Sequence, residues 1–467
     1  MKMWSGRFRQ PLNPEFERWQ RSFPFDQRLL GEELAASKAH ARALRTAGVL
    51  TTDELRSLES GLDEIAKQAA NRSDFLQDDE AEDVHHFVEK QLVLVAGETG
   101  YKLHSGRSRN EQIATDLRLY VRNSIDELNK ELVHLSEALL EKAEQAGDSA
   151  MPAYTHLQKA EPVLVAHWLL AYTEMFSRDV SRLADCRARL NVCPLGSGAL
   201  AGATLPLNRK QMAQELGFDA PTANSLDATS DRDFAIEFVQ ALALLAVHMS
   251  RWAEEMIIFS TQEFGYVQLP EAFSTGSSAM PQKKNPDAME LVRGKAARVI
   301  ASANALLIIV KGTPLAYNKD FQETQQPVFD AADNAIEMVK TVAGFVRSVE
   351  FDHAEMQAAA QTGYMNALAA ASYLVKKGVP FRRAHEYVGN AVRLGLDQGC
   401  ELQDLPLQEL KKLAPQFDED FYPALQLRAV LDCHDVVGGT AVSQVKTALN
   451  QAKEKLAALK GGLHAYA

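Results

Sequence analysis

One stretch of this chain repeats a helical pattern for longer than most globular helices last. Between Ile113 and Leu139 apolar residues recur at steps of three and four, and no glycine or proline interrupts the chain before Gly147. Such steps place apolar side chains on one face of an α-helix, whereas strict alternation is typical of a strand. The pattern therefore predicts one long helix that ends near Gly147, and a fold dominated by long helices.

Four more segments show the same kind of pattern over similar lengths. We predict long helices at about 162–190, 231–259, 286–310 and 327–349. Long helices of similar length pack as a bundle. Several of them, such as the one containing FVQALALLAVHM, are apolar on more than one face and need burial on all sides. We therefore predict an all-α fold with a central bundle of about five long helices, completed by helices from other subunits.

Shorter helices flank this bundle on both sides in the sequence. The region before it carries short, charge-rich helices, with Thr51 suited to begin one of them. In the region after it, glycine and proline interrupt the helical pattern. Strand signals are slight and confined to loops. The sequence thus predicts three mainly helical domains: an N-terminal domain at 1–112, the central long-helix bundle at 113–352 and a C-terminal domain at 353–467.

The composition limits the classes of function. A net charge of −12 argues against a general nucleic-acid or anionic-membrane surface. The four cysteines show no metal-ligand spacing, and a disulfide framework is unexpected in so long a chain, so we expect a reducing cytoplasm. The first residues lack the apolar core of a signal peptide. Charged residues interrupt the most apolar stretch, at 241–259, which predicts a buried helix rather than a membrane span.

Two polar segments adjoin the first predicted long helix. Residues 105–110, SGRSRN, bring hydroxyl, guanidinium and amide donors to the helix N-terminus, a combination that suits a carboxylate. Residues 154–158, YTHLQ, place His156 beside a hydroxyl in a polar turn, which favours acid–base chemistry. The alternatives for these two segments are an ordinary polar cap and a structural histidine.

A third polar segment, GSSAMPQKKNPD at 276–287, combines a flexible turn, two hydroxyls and two ammonium groups just before a predicted helix. Asn285 suits the N-cap of that helix, and Pro286 suits its first position. Hydroxyl and ammonium groups beside a positive helix end form a site for developing negative charge, such as an enolate-like oxyanion. The alternative is a solvated charged loop that only caps a helix. A further polar turn at 317–322, YNKDFQ, precedes the fifth long helix.

Two weaker patterns do not support a cofactor. The segment GSGALAG at 196–202 is similar to a dinucleotide-binding loop, but no strand precedes it and no βαβ unit surrounds it. His85 and His86 are neighbours on a predicted helix and point about a hundred degrees apart, so a shared metal is unexpected. We expect neither a cofactor nor a metal.

Together these segments resemble the three signature regions of the fumarase/aspartase superfamily, in the form typical of argininosuccinate lyases. The similarity runs from WSGRF at 4–8 through SGRSRN, YTHLQ, PLGSGALAG, NSLDATSDRDF and GSSAMPQKKNPD to GGTA at 438–441. The resemblance implies an all-α homotetramer in which each active site combines segments from three subunits. It also implies reversible cleavage of argininosuccinate to arginine and fumarate, the last step of arginine biosynthesis, without a cofactor.

The resemblance assigns catalytic roles to residues in two of the segments. Ser277 is implied as the base that removes the proton, and His156, oriented by Glu290, as the partner acid–base group. Lys283, assisted by Asn285, is implied to stabilise the dianionic aci-carboxylate intermediate, which requires concentrated positive charge. Which of Ser277 and His156 is the base stays open.

The resemblance also assigns substrate contacts in three groups. They are Thr155, Ser108 and Asn110 for the fumarate-side carboxylates, Ser22, Tyr317 and Gln322 for the arginine side, and Arg109 and Arg232 for electrostatic support. For Ser22, a solvated helix cap is the alternative.

One departure from the family pattern concerns the arginine side. After YNKDFQE the family usually continues with Asp-Lys, and that lysine contacts the amino-acid end of the substrate, whereas this chain has Thr324 and Gln325. Gln325 can hydrogen-bond a carboxylate without charge assistance, so roughly 1 kcal/mol or more of binding is lost unless another residue compensates. The alternatives are another fumarate-releasing lyase of the superfamily, a catalytically inactive structural relative similar to the lens crystallins, and a helical binding scaffold.

Overall fold

Helices account for most of the chain, which confirms the predicted fold class. The computed structural model describes residues 9–464, with side chains to residue 461, so the WSGRF segment lies outside the described residues. The α-helices are α1 Pro14–Trp19, α2 Phe23–Asp26, α3 Leu30–Thr46, α4 Thr52–Asn71, α5 Val84–Ala96, α6 Arg109–Ala146, α7 Val165–Leu190, α8 Arg209–Glu215, α9 Ser225–Ala228, α10 Asp233–Phe259, α11 Asp287–Val310, α12 Gln325–Ser348, α13 His353–Ala359, α14 Ala367–Lys376, α15 Phe381–Gln398, α16 Leu407–Leu413, α17 Phe421–Ala424, α18 Leu427–Asp432 and α19 Val442–His464.

Short strands and 3₁₀ segments of three to eight residues connect these helices. The strands are β1 Ala150–Thr155, β2 Gln158–Leu164, β3 Val192–Cys193, β4 Ala220–Pro221, β5 Val267–Gln268, β6 Thr275–Gly276, β7 Lys284–Asn285 and β8 Glu350–Phe351. They pair as β1–β2, β3–β4, β5–β8 and β6–β7, and only β3–β4 is parallel. The 3₁₀ segments are Gln27–Leu29, Gly97–His104, Glu271–Phe273, Lys319–Thr324 and Leu402–Asp404.

The five predicted long helices are α6, α7, α10, α11 and α12, and the four with a predicted start residue, α7, α10, α11 and α12, begin within three residues of it. Helix α7 begins three residues later than predicted, at Val165, because the residues before it, including Pro162, are extended and form β2. Pro162 pairs with Pro152 of β1, and neither proline has an N–H to lose from the ladder. The predicted helix start at Thr51 is present as a capping box with Glu54.

Contacts along the chain divide it into two compact units, and each is described by itself. The first unit comprises residues 9–128, 180–246 and 296–336, and the second comprises 129–179, 247–295 and 337–464. The first unit has a core in which α3 contributes Ala36 and Ala39 and α8 contributes Met212. The second has a core built around Leu374, Phe417 and Phe421. The three-domain division drawn from the sequence stays a prediction.

The C-terminal half of α10 is a core element of the second unit. Trp252 and Met256 are fully buried, and the Trp252 ring stacks on Trp168 with centroids 5.6 Å apart. The carboxylate of Glu255 accepts hydrogen bonds from the Trp168 indole and the Tyr172 hydroxyl, both at 2.7 Å. By length and composition α10 is apolar enough to cross a membrane, a property that buried helices of soluble proteins share. Its packing therefore agrees with the predicted buried helix.

Candidate active site

His156 lies at the tip of a β-hairpin in the second unit, not in a simple helix-to-helix turn. Thr155 of β1 pairs with Gln158 of β2, so His156 and Leu157 form the two-residue connection. Their φ angles are +56° and +58°, the left-handed region that two-residue hairpins of the favoured type require. For non-glycine residues this conformation costs roughly 1–2 kcal/mol each. Backbone strain of this kind concentrates at functional sites.

The base of the hairpin is anchored, and its tip is exposed. The hydroxyls of Tyr154 and Tyr266 are hydrogen-bonded at 2.7 Å, and Lys159 Nζ donates to the Ala359 carbonyl at 3.0 Å. At the tip His156 is exposed, and Leu157 is 71% exposed. The hairpin therefore presents the imidazole to the surroundings of the chain rather than to its core.

The signature segment at 276–287 is a loop closed at its base by a small hairpin, also in the second unit. Thr275 and Gly276 of β6 pair with Asn285 and Lys284 of β7. The carboxylate of Asp287 accepts the N–H and the hydroxyl of Thr275 at 3.1 and 2.6 Å, and this bond from the Thr275 hydroxyl lowers the pKa of Asp287. Asn285 donates to the Thr275 hydroxyl instead of capping α11. The helix starts one residue later than predicted, with the Pro286 carbonyl accepting its first hydrogen bonds.

Within this loop the Ser277 hydroxyl is held as an acceptor. Its Oγ accepts the backbone N–H groups of Ala279 and Met280 at 3.2 and 3.1 Å. Donors directed at a hydroxyl oxygen favour its ionised form over its neutral form. Lys283 and Glu290 are exposed, and no hydrogen bond within the described chain joins either of them, or His156, to Ser277. The structure thus forms the two segments that are predicted to carry catalysis, and no described hydrogen bond links their predicted catalytic side chains.

In the first unit, the SGRSRN segment begins helix α6. The Ser108 hydroxyl accepts the Asn110 N–H at 3.3 Å, and the Ser108 N–H donates to the Glu111 carboxylate at 3.0 Å. The Asn110 amide donates to the Ala199 carbonyl at 3.2 Å, so the glycine-rich loop at 196–202 orients it. Ser108 therefore has the cap role that the sequence allowed, and Asn110 is held by a tertiary contact.

The two arginines of this segment have different partners. Arg109 Nη1 lies 3.2 Å from Glu82 and 3.0 Å from Asp83, and its Nη2 is buried without a hydrogen bond to any described residue. Arg107 donates to the Ser37 hydroxyl at 2.9 Å in the interior. Arg107 thus turns to the interior, whereas Arg109 pairs with two carboxylates next to the start of α5. The sequence did not predict the contact of Arg109 with Glu82 and Asp83. A signal was present, because Asp83 precedes an apolar helical run as an N-cap would, and it does cap α5.

The arginine-side residues form a second group in the first unit, around a buried guanidinium. Arg232 is 1% exposed, its Cζ lies 4.7 Å from the centre of the Phe321 ring, and its Nη1 donates to the Asp231 carbonyl at 2.7 Å. Its Nε and Nη2 have no partner among the described residues. Burial lowers the pKa of Arg232 to about 10 and raises the pKa of Tyr317 to about 12.

Gln322, Gln325 and Ser22 are all buried in the chain. The Gln322 amide donates to the Gln20 carbonyl at 3.1 Å, and Gln325 Oε1 is buried without a partner among the described residues. The Ser22 hydroxyl is hydrogen-bonded to Asp26, so the solvated-cap alternative for Ser22 is not what the structure shows. An unsatisfied buried acceptor such as Gln325 Oε1 is costly and is typical of a site that awaits a partner.

Among the described residues, one group of side chains has the spacing of metal ligands. It consists of Glu33, His85 and Asp116, whose ligand atoms lie within 4.8 Å of one another. All three side chains are buried, and His85 Nδ1 is hydrogen-bonded to Glu33 at 2.8 Å. The neighbouring His86 is not a member of the group, as the geometry of adjacent helical residues predicts.

Comparison with known proteins places this arrangement in a class. Residues 6–301 match the family described as Lyase, and residues 364–432 match the family described as Argininosuccinate lyase C-terminal. A solved variant of EDDS lyase with bound fumarate has the same fold, with a TM-score of 0.84 and 25% identity over 98% of this chain and 92% of that one. The fold and the signature segments thus define a helical lyase.

Curated relatives narrow the class further. Argininosuccinate lyase of Koribacter versatilis is 62% identical over 98% of both chains, and that of Acidobacterium capsulatum is 60% identical over 96% of this chain and 93% of its own. A third, from Thioalkalivibrio sulfidiphilus, is 48% identical over 98% of both chains. This chain belongs to the argininosuccinate lyase family.

Proposed function

We propose that this protein catalyses the reversible anti elimination of argininosuccinate to arginine and fumarate, the last step of arginine biosynthesis. The observation that carries the proposal is the signature loop, in which the Ser277 hydroxyl accepts two backbone N–H groups beside Lys283. Membership of the argininosuccinate lyase family supplies the substrate. No cofactor is required, because the loop itself offers the positive charge that the reaction needs.

The first chemical step is removal of a proton from the carbon next to a carboxylate. This position is weakly acidic, so its anion survives only as a dianionic aci-carboxylate held by donors and positive charge. Ser277 as the alkoxide base takes the proton, with the Ala279 and Met280 N–H groups stabilising its oxygen. The Lys283 ammonium and the Asn285 amide lie in the same loop and stabilise the intermediate.

The second step is cleavage of the bond between carbon and the guanidino nitrogen. The electron pair leaves with the nitrogen, which must be protonated to depart as arginine. His156 donates this proton, and Glu290 orients its imidazole. The constrained hairpin tip supports this role, because a fixed backbone limits the positions open to the ring. To complete the cycle, Ser277 releases its proton to solvent, and His156 takes up a proton from solvent.

The remaining segments bind the two ends of the substrate. Thr155, Ser108 and Asn110 hold the fumarate-side carboxylates, and Ser22, Tyr317 and Gln322 hold the arginine side. We assign Gln325 and the unpaired N–H groups of Arg232 to the amino-acid end of the substrate, which the lysine of the family pattern contacts. Gln325 Oε1 and the Arg232 Nε and Nη2 are buried polar atoms of the first unit that lack partners among the described residues, and the Arg232 charge acts on Tyr317.

We assign the active sites to a homotetramer in which three subunits contribute to each site. The exposed positions of α11 support the assignment, since the apolar or small residues Leu291, Gly294, Ala301 and Ile308 lie on one exposed side of the helix, which also carries Arg298. Such faces on long helices are typical of helix-to-helix interfaces. The exposed His156 tip and Ser277 loop are the parts that neighbouring subunits would cover. We place the protein in the cytoplasm, with no nucleic-acid or membrane partner.

The direct test is fumarate release, followed by ultraviolet absorbance, with argininosuccinate, adenylosuccinate, malate and aspartate as parallel substrates. We expect release from argininosuccinate alone. Ser277→Ala and His156→Asn should each lose most turnover while the oligomer stays intact, and Ser348→Ala, a matched change at the far end of α12, should keep it. Release from a different substrate would place the protein elsewhere among these lyases. An intact oligomer that releases none would favour the crystallin-like alternative.

A further inference from the structure

A buried cluster of charged side chains lies behind the SGRSRN segment in the first unit. We name Glu33 of α3, His85 of α5 and Asp116 of α6 the carboxylate cluster. All three side chains are almost completely buried, and Arg107 lies within 3.9 Å of Glu33. None of these residues has a role in the proposed reaction, and sequence motifs gave no sign that they meet.

The two carboxylates of the cluster differ sharply in the donors that they receive. Glu33 accepts the Ser37 hydroxyl at 2.7 Å, the Gln112 amide at 3.1 and 3.2 Å, and His85 Nδ1 at 2.8 Å. Asp116 is 0% exposed, and no described residue donates a hydrogen bond to its oxygens: His85 Nδ1 lies 3.6 Å from its Oδ2, and its other polar neighbour is the Glu33 carboxylate, which can only accept. A buried carboxylate with several donors is stable as an anion, whereas one without donors beside a second anion is not.

Burial and charge act on the two groups in opposite directions. Burial alone would raise the pKa of Glu33, but the charges of His85 and Arg107 outweigh it and hold that pKa below the ordinary value. Burial and the neighbouring Glu33 anion raise the pKa of Asp116 well above its ordinary value. Burial would lower the pKa of His85, yet the Glu33 anion raises it overall.

Glu33 and His85 already have partners within the chain, which disfavours a metal ion bound to the cluster. The oxygens of Glu33 are engaged by three side-chain donors, and the His85 nitrogen that faces the cluster is engaged by Glu33. Arg107 already supplies positive charge beside Glu33, and the Glu33 anion raises the pKa of His85. A divalent cation would have to displace these contacts in a fully buried site.

The cluster adjoins the two helix starts that carry predicted substrate contacts. Arg107 directly precedes Ser108, and Asp116 lies in the early turns of the same helix, α6. His85 follows Asp83, which caps α5 and pairs with Arg109. A change in the charge of the cluster therefore acts on the position of both helix starts.

We propose that Glu33 and Asp116 are positioning residues with opposite protonation. Glu33 is the anion that holds His85 and Arg107, and Asp116 is a neutral acid that keeps a second negative charge out of the cluster. Together they fix the start of α6, where the contacts for the fumarate-side carboxylates lie. The kinetic part of this inference rests on the proposed function, and its structural part does not.

The test replaces each carboxylate with its carboxamide, so that shape is matched and only charge is removed. Asp116→Asn should keep the thermal midpoint and kcat/KM within about threefold of the unmodified protein, since the native group is already neutral. Glu33→Gln should lower kcat/KM by about tenfold or more, chiefly through KM, because the buried Arg107 guanidinium and His85 imidazole lose the carboxylate that holds them. Glu33→Asp, which keeps the charge, should restore part of the loss.

An infrared difference spectrum gives a readout that does not depend on turnover or on the folding of Glu33→Gln. The spectrum of the unmodified protein minus Asp116→Asn at neutral pH should contain the carbonyl stretch of a protonated carboxyl group. Its absence, equal damage from both carboxamide variants, or stoichiometric bound metal that Asp116→Asn abolishes would overturn the inference. If the unmodified protein releases no fumarate, the proposed function fails, and the spectrum and the thermal midpoints still decide this inference.

Discussion

The buried carboxyl group of Asp26 should make the free energy of unfolding of the protein depend on pH. It is 2% exposed, its Oδ1 accepts the Val84 N–H at 3.0 Å, and its partner hydroxyl is that of Ser22. Burial, with a smaller contribution from the negative charge of Asp83, raises its pKa from 3.8 to about 7. Hydrogen bonds from Ser22 and Val84 and the charge of His85 oppose this rise without cancelling it.

The sign of the effect on stability follows from proton uptake. Between the ordinary pKa and the raised one, the folded protein keeps the proton on Asp26 while the unfolded chain has lost it. The folded state then binds more protons, so the free energy of unfolding falls as pH rises through this window. A shift from 3.8 to about 7, at about 1.4 kcal/mol per unit, amounts to roughly 4 kcal/mol, of which about 2 falls between pH 5 and 7.

Asp26→Asn removes this titration and keeps an oxygen that can accept the Val84 N–H. We expect the free energy of unfolding of Asp26→Asn, relative to the unmodified protein, to rise by about 2–3 kcal/mol from pH 5 to pH 8. Urea unfolding at one fixed protein concentration measures it, with Asp53→Asn as the matched control because Asp53 is 91% exposed. A difference that stays constant with pH would refute the reasoning, since the native carboxyl group would then be ionised throughout.

Three further changes test other parts of the molecule. Thr51→Ala removes the capping box with Glu54 and should lower the free energy of unfolding by about 1 kcal/mol in urea titrations, and an unchanged midpoint would contradict it. Gln325→Lys should lower KM for argininosuccinate by about fivefold while reducing thermal stability, because a buried ammonium needs the substrate carboxylate as its partner. Inactive Ser277→Ala and Asn110→Ala proteins should regain part of their fumarate release after subunit exchange, and verified exchange without recovery would count against shared sites.

The long helices were predictable because their signal is local and repeated. Apolar steps without glycine or proline continue over tens of residues, so errors at single positions do not change the result. The β1–β2 hairpin was missed because its turn, His156 and Leu157, contains neither glycine nor asparagine, the residues that normally mark such turns. The β1–β2 pairing and tertiary anchors of the hairpin, such as the Tyr154–Tyr266 contact, hold that turn, and no local pattern encodes the anchors.

The candidate site divides in the same way. Ser277, Lys283 and Ser108 lie in short motifs whose residue types point directly to chemistry, so the sequence and the family resemblance identify them. The buried charged residues could not be identified in this way, because their partners are distant in the chain. His85 and Glu33, for example, are 52 positions apart. The direction of Arg107 was likewise unpredictable, since an arginine in an anion-binding motif can turn either to the site or to a buried carboxylate.

The two segments proposed for catalysis, the hairpin with His156 and the loop with Ser277, are shaped by contacts within the chain but remain exposed to water. The left-handed backbone at His156 and Leu157 is offset by the six residue pairs of the hairpin, and the Ser277 loop is closed by its own base. Contacts within the chain thus close both segments. What a neighbour adds is exclusion of water, and an alkoxide or an aci-carboxylate dianion is far better stabilised by fixed donors once water is excluded. On the proposed mechanism, therefore, a folded but dissociated chain would retain the geometry of each segment and lose the reaction.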